Sequence, residues 1–229
     1  MLKYFSADIQ KKDLTTEVTG LNELESKDLT VPGDISSAAF FIVGALIVKG
    51  SRLVIREVGM NPTRTGVIEV LKRMGADIRV TDLKEGLEPV GDIEVRYSDL
   101  KGTVVEENEV PLLIDEIPVL AIAACMAEGQ TLIKGIKELK VKETDRVRSI
   151  TENLSKMGVR VEEEENSLII PGSSGGFGVA ELDSFGDHRI AMSAATAALA
   201  SDGECIIRNT TCADTSYPNF LDDLHRVTG

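Results

Sequence analysis

Three stretches without a charged residue, 35–48, 117–127 and 190–200, constrain the fold of this 229-residue chain more than anything else in it. Each falls short of the roughly 20 apolar residues that a membrane span requires. Each is apolar on all sides, so it reads as a helix buried around its whole circumference. They are also entered and left alike. Gly33-Asp34 opens the first, which gives way to Lys49-Gly50 and the β-rich Leu53-Val54-Ile55. Ile114-Asp115-Glu116 opens the second, followed by Glu128-Gly129 and Thr131-Leu132-Ile133. Gly186-Asp187-His188-Arg189 opens the third, followed by Asp202-Gly203 and Cys205-Ile206-Ile207. One template is used three times, and such repetition decides architecture before local propensity does.

Beyond each strand an amphipathic helix follows. Its apolar stripe is marked by Ile68, Leu71 and Met74, then by Val147, Ile150, Leu154 and Met157, and finally by Phe220, Leu224 and Val227, at the gaps of three and four that line one helical face. The first two end at Met74-Gly75 and Met157-Gly158, where glycine suits a left-handed cap. Strand pairs are expected at 77–80 with 93–97 and at 159–162 with 167–170. The repeats then span about 32–100, 111–172 and 184–229. The expected fold is α/β in the broad α+β sense, with a pseudo-threefold arrangement of buried helices inside sheets and amphipathic helices. Under that symmetry the central helices run parallel, and three positive dipole ends open on one face, which favours anions. Residues 1–31 do not follow the template. Met1-Leu2-x-x-Phe5 reads as the last turn of a helix, and 14–18 and 28–31 read as strands. They are expected to finish a different domain, and a start inside a helix implies a missing upstream part.

Hydrophobic residues make up 42% of the chain, enough for a sizeable core, and the net charge is −13. That charge argues against nucleic acid or an anionic membrane as a partner held by bulk electrostatics. An anionic ligand needs a local cluster of cations instead. Cys125, Cys205 and Cys212 have neither disulfide-framework nor zinc-type spacing, which fits a reducing, cytoplasmic setting. The first residues lack the apolar core of a signal peptide.

Polar residues gather where the repeats open. Asp34, Asp115 and Asp187 each precede an apolar helix and suit N-caps. Asp115, at the edge of a dry core, also suits a general base. In Lys140-Val141-Lys142-Glu143-Thr144-Asp145-Arg146-Val147-Arg148, the plain reading is a solvated helix start. The sharper one places Lys142, Glu143 and Arg146 around one anion. In Asp187-His188-Arg189, Arg189 suits bidentate binding of a carboxylate or phosphate, and His188 suits a proton carrier or a packing residue. Gly50, Gly129 and Gly203 follow helices and read as turns, not phosphate loops. Cys125 reads as core, the reactivity of Cys212 stays open, and 162–165 reads as a solvated hairpin tip.

Pro32-Gly33-Asp34-Ile35-Ser36-Ser37-Ala38, Ile114-Asp115-Glu116-Ile117-Pro118, Val141-Lys142-Glu143-Thr144-Asp145-Arg146 and Gly186-Asp187-His188-Arg189 occur in this order. With them the chain resembles the 5-enolpyruvylshikimate-3-phosphate synthase branch of the enolpyruvyl transferases. The resemblance implies a domain of three βαβαββ units around parallel helices. It also implies transfer of the enolpyruvyl group of phosphoenolpyruvate to the 5-hydroxyl of shikimate 3-phosphate, with release of phosphate and without a metal or organic cofactor. Asp115 matches the base and Glu143 the acid that protonates the methylene carbon. Lys142 matches a contact to shikimate 3-phosphate, Arg146 and Arg189 match the arginines on phosphoenolpyruvate, and Asp187 and His188 match further substrate-binding positions that line the site. Thr215 stands where some members carry lysine. The likeness covers the C-terminal half of a two-domain enzyme, so the chain alone is expected to be inactive or very weak without its N-terminal domain. Its oligomeric state is left open, a dimer through an exposed edge included. Two alternatives remain: a UDP-N-acetylglucosamine enolpyruvyl transferase, disfavoured by the motifs around Lys142 and His188, and a non-catalytic anion-binding or scaffold domain.

Overall fold

The computed structural model describes residues 2–20, 23–172 and 175–229. A hairpin of β1 (Ile9–Lys12) and β2 (Thr15–Val18) comes first. The first repeat holds α1 (Ile35–Ile47), β3 (Arg52–Gly59), α2 (Gly66–Arg73), β4 (Asp77–Lys84) and β5 (Val90–Arg96). The second holds β6 (Val104–Val105), α3 (Ile117–Cys125), β7 (Gln130–Lys134), α4 (Arg146–Lys156), β8 (Glu162–Glu164) and β9 (Ser167–Pro171). The third holds β10 (Glu181–Asp183), α5 (His188–Ala198), β11 (Ile206–Arg208) and α6 (Phe220–Thr228).

The three apolar stretches form α1, α3 and α5: α1 and α3 stop one and two residues short of their uncharged runs, and α5 is shifted two residues earlier to take in His188 and Arg189; all three pack against one another. Their directions follow from which ends meet. Near the tips, Ser36 of α1 donates to Glu116 just before α3, and Arg189 of α5 donates to the Asp115 carbonyl at 3.2 Å. Farther along, Thr196 of α5 donates to the Phe40 carbonyl of α1 at 3.5 Å. A Cβ placed on Gly44 would lie 3.3 Å from Leu199 Cδ1, so a glycine in α1 lets the later turns of α1 and α5 close together. Early turns meet early turns and late turns meet late turns. The helices are parallel, and their N-termini share one face.

The threefold pattern persists outside the helices. In each repeat the segment leading into the central helix pairs in parallel with the strand that follows it: Gly33 with Val58, β6 with β7, and β10 with β11. Hairpins then add antiparallel strands in the orders β3-β5-β4 and β6-β7-β9-β8. Gly75 and Gly158 end α2 and α4 with φ of 95° and 89°, the left-handed conformation expected of them. Among the described residues no hairpin follows α6, whose stripe is buried at Phe220 and Leu224 but open at Val227.

Three local expectations change. The acidic run is not a hairpin tip: Glu162–Glu164 is itself strand β8, exposed along its length, with the turn at Glu165, φ 45°. As an edge strand it takes its conformation from backbone pairing with β9, so its side chains need no alternation. Residues 28–31 form no strand. The hairpin near the start pairs β2 with Ile9–Lys12 instead, turning at Asp13 (φ 53°) and a fully exposed Leu14. Leu2–Phe5 is a 3₁₀ turn, and Met1 of the expected helical turn lies outside the described residues. No helix among the described residues is long and apolar enough to cross a membrane.

Candidate active site

The shared N-terminal face of α1, α3 and α5 collects the charged residues of all three repeat openings. Asp34 caps α1, accepting from Ser37 N at 2.9 Å. Asp187 caps α5, accepting from Arg189 N at 2.8 Å and Ile190 N at 3.4 Å. Asp115 does not cap α3. A 3₁₀ turn at Ile114–Glu116 precedes that helix and leaves Glu116 at the cap position with no side-chain cap bond. The extra turn carries the Asp115 side chain away from α3 and toward Lys142 and Arg146 of its own repeat and Arg189 of the next.

Arg146, the first residue of α4, lies at the centre of these groups with no exposed surface. Its Nε donates to Asp187 at 2.8 Å, Nη1 to Asp115 at 2.9 Å and Nη2 to Glu143 at 2.7 Å. One planar guanidinium thus ties three carboxylates from all three directions of its fork. Burial opposes its charge, but Asp187, Asp115 and Glu143 together raise its pKa above the ordinary arginine value. Asp145 caps α4 through Arg148 N at 3.0 Å, which fixes where Arg146 leaves the helix. Lys142 Nζ stands 3.7 Å from Asp115 and 3.5 Å from Glu138. Arg189 Nη2 stands 3.7 Å from Asp115 Oδ2 and Nη1 3.6 Å from Glu116.

The residues singled out in the sequence therefore converge, with differing access to solvent. Lys142 and Arg189 are partly open, and Glu143 is half exposed. Asp187 is sealed, one oxygen spent on the α5 cap and the other on Arg146. It holds Arg146 and turns no free oxygen toward a ligand. Arg146 is likewise enclosed by its carboxylates. Burial pushes the Asp115 carboxyl up, but Arg189, Arg146 and Lys142 outweigh it and hold the group below the ordinary aspartate range. His188 is half buried, and desolvation with the adjacent Arg189 lowers its pKa, favouring a neutral imidazole. The Cys125 thiol, buried within α3, is pushed up to about 12 and is inert core.

Three participants escaped the sequence reading. Glu116, 3% exposed, accepts from Ser36 Oγ, and Ser36 accepts from Arg64 at 2.8 Å. Burial raises the Glu116 pKa, against the pull of Ser36 and Arg189. The available signals were a second acid directly before an uncharged run and a serine pair at the head of another. Thr215 Oγ1 is engaged within its own turn, donating to the Cys212 carbonyl at 2.7 Å.

The chain is 50% identical over 229 residues to a 3-phosphoshikimate 1-carboxyvinyltransferase of Petrotoga mobilis, covering 99% of this chain and 53% of the relative. A Geotalea daltonii protein of the same name is also 50% identical, over 100% of this chain and 53% of its own length. Among solved structures, EPSP synthase from Acinetobacter baumannii matches with a TM-score of 0.93 at 43% identity, over 99% of this chain and 53% of that one. The enolpyruvyl transferase NikO from Streptomyces tendae, at 20% identity and a TM-score of 0.70 over 99% of this chain and 51% of its own, shares the fold. The chain thus spans about half the length of the relatives it matches. Residues 1–224 match the family model of EPSP synthase (3-phosphoshikimate 1-carboxyvinyltransferase), and the chain belongs to that family.

Proposed function

We propose that this face carries one wall of an enolpyruvyl transfer site, in which phosphoenolpyruvate and shikimate 3-phosphate react to give the 5-enolpyruvyl ether and phosphate. The observation that carries the reading is the convergence of Lys142, Arg146 and Arg189 on Asp115 and Glu143 at the tips of three parallel helices. Two phosphorylated anions need such a cluster in a protein of net charge −13.

In the first step the 5-hydroxyl oxygen adds to C2 of phosphoenolpyruvate. Asp115 takes the hydroxyl proton, and Glu143 delivers a proton to the methylene carbon, giving a tetrahedral intermediate. Glu143 then takes a proton back from the new methyl group as phosphate leaves with the proton held by Asp115, which restores the double bond as the enol ether and both carboxyl groups to their starting states. The cations that hold Asp115 down are the ones an anionic substrate would engage. Charge brought to Lys142 and Arg189 by substrate therefore raises the proton affinity of Asp115 when a base is needed. Arg146 positions both proton carriers through its 2.9 and 2.7 Å bonds. For it to grip phosphoenolpyruvate directly, one of those carboxylates must yield.

The second wall is assigned to a further domain of the kind the relatives have room for. Residues 32–229 then form the three-repeat domain, and 1–31 belong to the other. The exposed β1–β2 hairpin, with Leu14 and Val18 open to solvent, supports that division. The free cysteines support a cytoplasmic setting.

Titration of the chain with phosphoenolpyruvate and with shikimate 3-phosphate tests the site. Arg189→Ala and Lys142→Ala are each expected to weaken binding about tenfold without unfolding the protein, the size of one charge-assisted contact. Unchanged binding removes both residues from the site. Phosphate release by this chain alone at a rate comparable to a two-domain relative would refute the need for a second wall.

A further inference from the structure

Glu116 occupies the cap position of α3 without bonding to that helix, and it is buried to 3% exposure. A carboxylate withdrawn from water with no local use is costly, so its partners must account for it. They come from the tips of the other two central helices. Ser36 in α1 donates its only hydroxyl proton to Glu116 Oε1 and accepts from Arg64 Nη2, in the loop before α2, at 2.8 Å. That second bond fixes the hydroxyl rotor. On the opposite side the same Glu116 oxygen lies 3.6 Å from Arg189 Nη1, which also donates to the Asp115 carbonyl at 3.2 Å. One edge of the Arg189 guanidinium is therefore held by the entry of α3, and Nη2 is left 3.7 Å from the Asp115 carboxylate.

We infer that Glu116 is a positioning residue for Arg189, and that Arg64 and Ser36 complete a relay setting the angle at which that guanidinium meets an anionic ligand. The ligand rests on the phosphoenolpyruvate reading above; the relay does not. A planar carboxylate is gripped by two parallel N–H···O bonds that fail when the guanidinium plane turns. Phosphate, with oxygens in every direction, tolerates the turn. The relay therefore matters more for phosphoenolpyruvate than for inorganic phosphate.

Glu116→Gln removes the charge and keeps the size. Two measurements on the whole chain read the effect. In nitrogen-15 spectra of the ligand-free protein, the held Arg189 guanidinium should give separate Nη proton signals, assigned by their loss in Arg189→Lys, and these should merge in Glu116→Gln. In titrations, the preference for phosphoenolpyruvate over inorganic phosphate should fall by about tenfold, as for the loss of one aligned charged pair. Ser36→Ala keeps the charge but frees the carboxylate. It should shift both readouts the same way by less, and it serves where Glu116→Gln does not fold. Averaged Arg189 signals in the unaltered chain, unchanged signals in both variants, or equal weakening of both ligands would overturn the inference. Held signals that loosen in Glu116→Gln, in a chain with no affinity for phosphoenolpyruvate, would refute the assigned ligand and support the relay.

Discussion

At the tips of α1 and α5 an aspartate folds back on its own helix, Asp34 onto Ser37 N at 2.9 Å and Asp187 onto Arg189 N at 2.8 Å. At α3 neither acid does so: Asp115 turns to Arg146 at 2.9 Å, and Glu116 turns to Ser36. The same position in three copies of one template thus holds two structural carboxylates and one pair directed outward from its helix. A cap uses its carboxylate to satisfy backbone donors. Where an inserted 3₁₀ turn relieves the acid of that task, its charge is free to organise side chains from its own and the other repeats. The specialised member is the middle one, where the tip of α3 faces Arg146 and Arg189 together.

The largest effect should come from the residue that joins the two kinds of tip. Arg146→Met leaves buried Asp187 without its partner and releases Asp115 and Glu143, so unfolding free energy should fall by about 3–5 kcal/mol, the usual result of breaking a buried ion pair. Arg146→Lys should recover little of this, because one ammonium cannot span three carboxylates. Urea denaturation of both variants checks it. A loss under about 1 kcal/mol would mean that the cluster is wet and weak, as exposed pairs are.

A smaller effect separates a cap from its functional counterpart. Asp34→Ala should cost about 1 kcal/mol, the ordinary value of an N-cap, because its side chain is half exposed and its ion pair with Arg64 is long at 3.5 Å. Asp115→Asn should cost less in stability than Asp34→Ala. It breaks no cap, its amide oxygen still accepts from Arg146, and the cluster retains Glu116, Glu143 and Asp187 opposite Lys142, Arg146 and Arg189. In a complete two-domain protein it should nevertheless abolish phosphate release. If Asp115→Asn unfolds the chain as readily as Asp34→Ala, the two tips do not differ in kind.

The repeats were legible because burial on all sides and glycine stops are properties of single segments: α1, α3 and α5 had to be central, and Gly75 and Gly158 had to end helices. The grouping of Lys142, Glu143 and Arg146 was legible from their spacing at the start of α4, and their meeting with Arg189 came from the family resemblance of the two motifs. What escaped depends on partners distant in sequence. Ile9–Lys12 is polar and without alternation, and becomes a strand through β2. Glu162–Glu164 is a strand through β9. That Asp115 fails to cap depends on one 3₁₀ turn; the sequence marks it only by Ile114 and Glu116 on either side, where Asp34 and Asp187 each follow a glycine. Arg146 read as a ligand contact because exposure is invisible in a sequence; its three carboxylates come from separate segments.

The smallest effect compares the two acids of the α3 tip directly. Asp115 has its pKa lowered in the fold: burial raises it, but Arg189, Arg146 and Lys142 more than offset this. Its contribution to stability is therefore complete above the ordinary aspartate range and is lost as pH falls through the depressed value. Glu116 has its pKa raised by burial, despite Ser36, Arg189 and Arg64 and with some help from Asp115. Its contribution is complete below the ordinary glutamate value and is lost as pH rises through the elevated one. Denaturation curves across the acid range, for the unaltered chain and for Asp115→Asn and Glu116→Gln, should therefore diverge in opposite directions. The deficit of Asp115→Asn shrinks as pH falls, whereas Glu116→Gln gains on the unaltered chain as pH rises. Differences of the same sign would show that the two neighbours titrate as one group shared among the cations, and the division between them at the α3 tip would not hold.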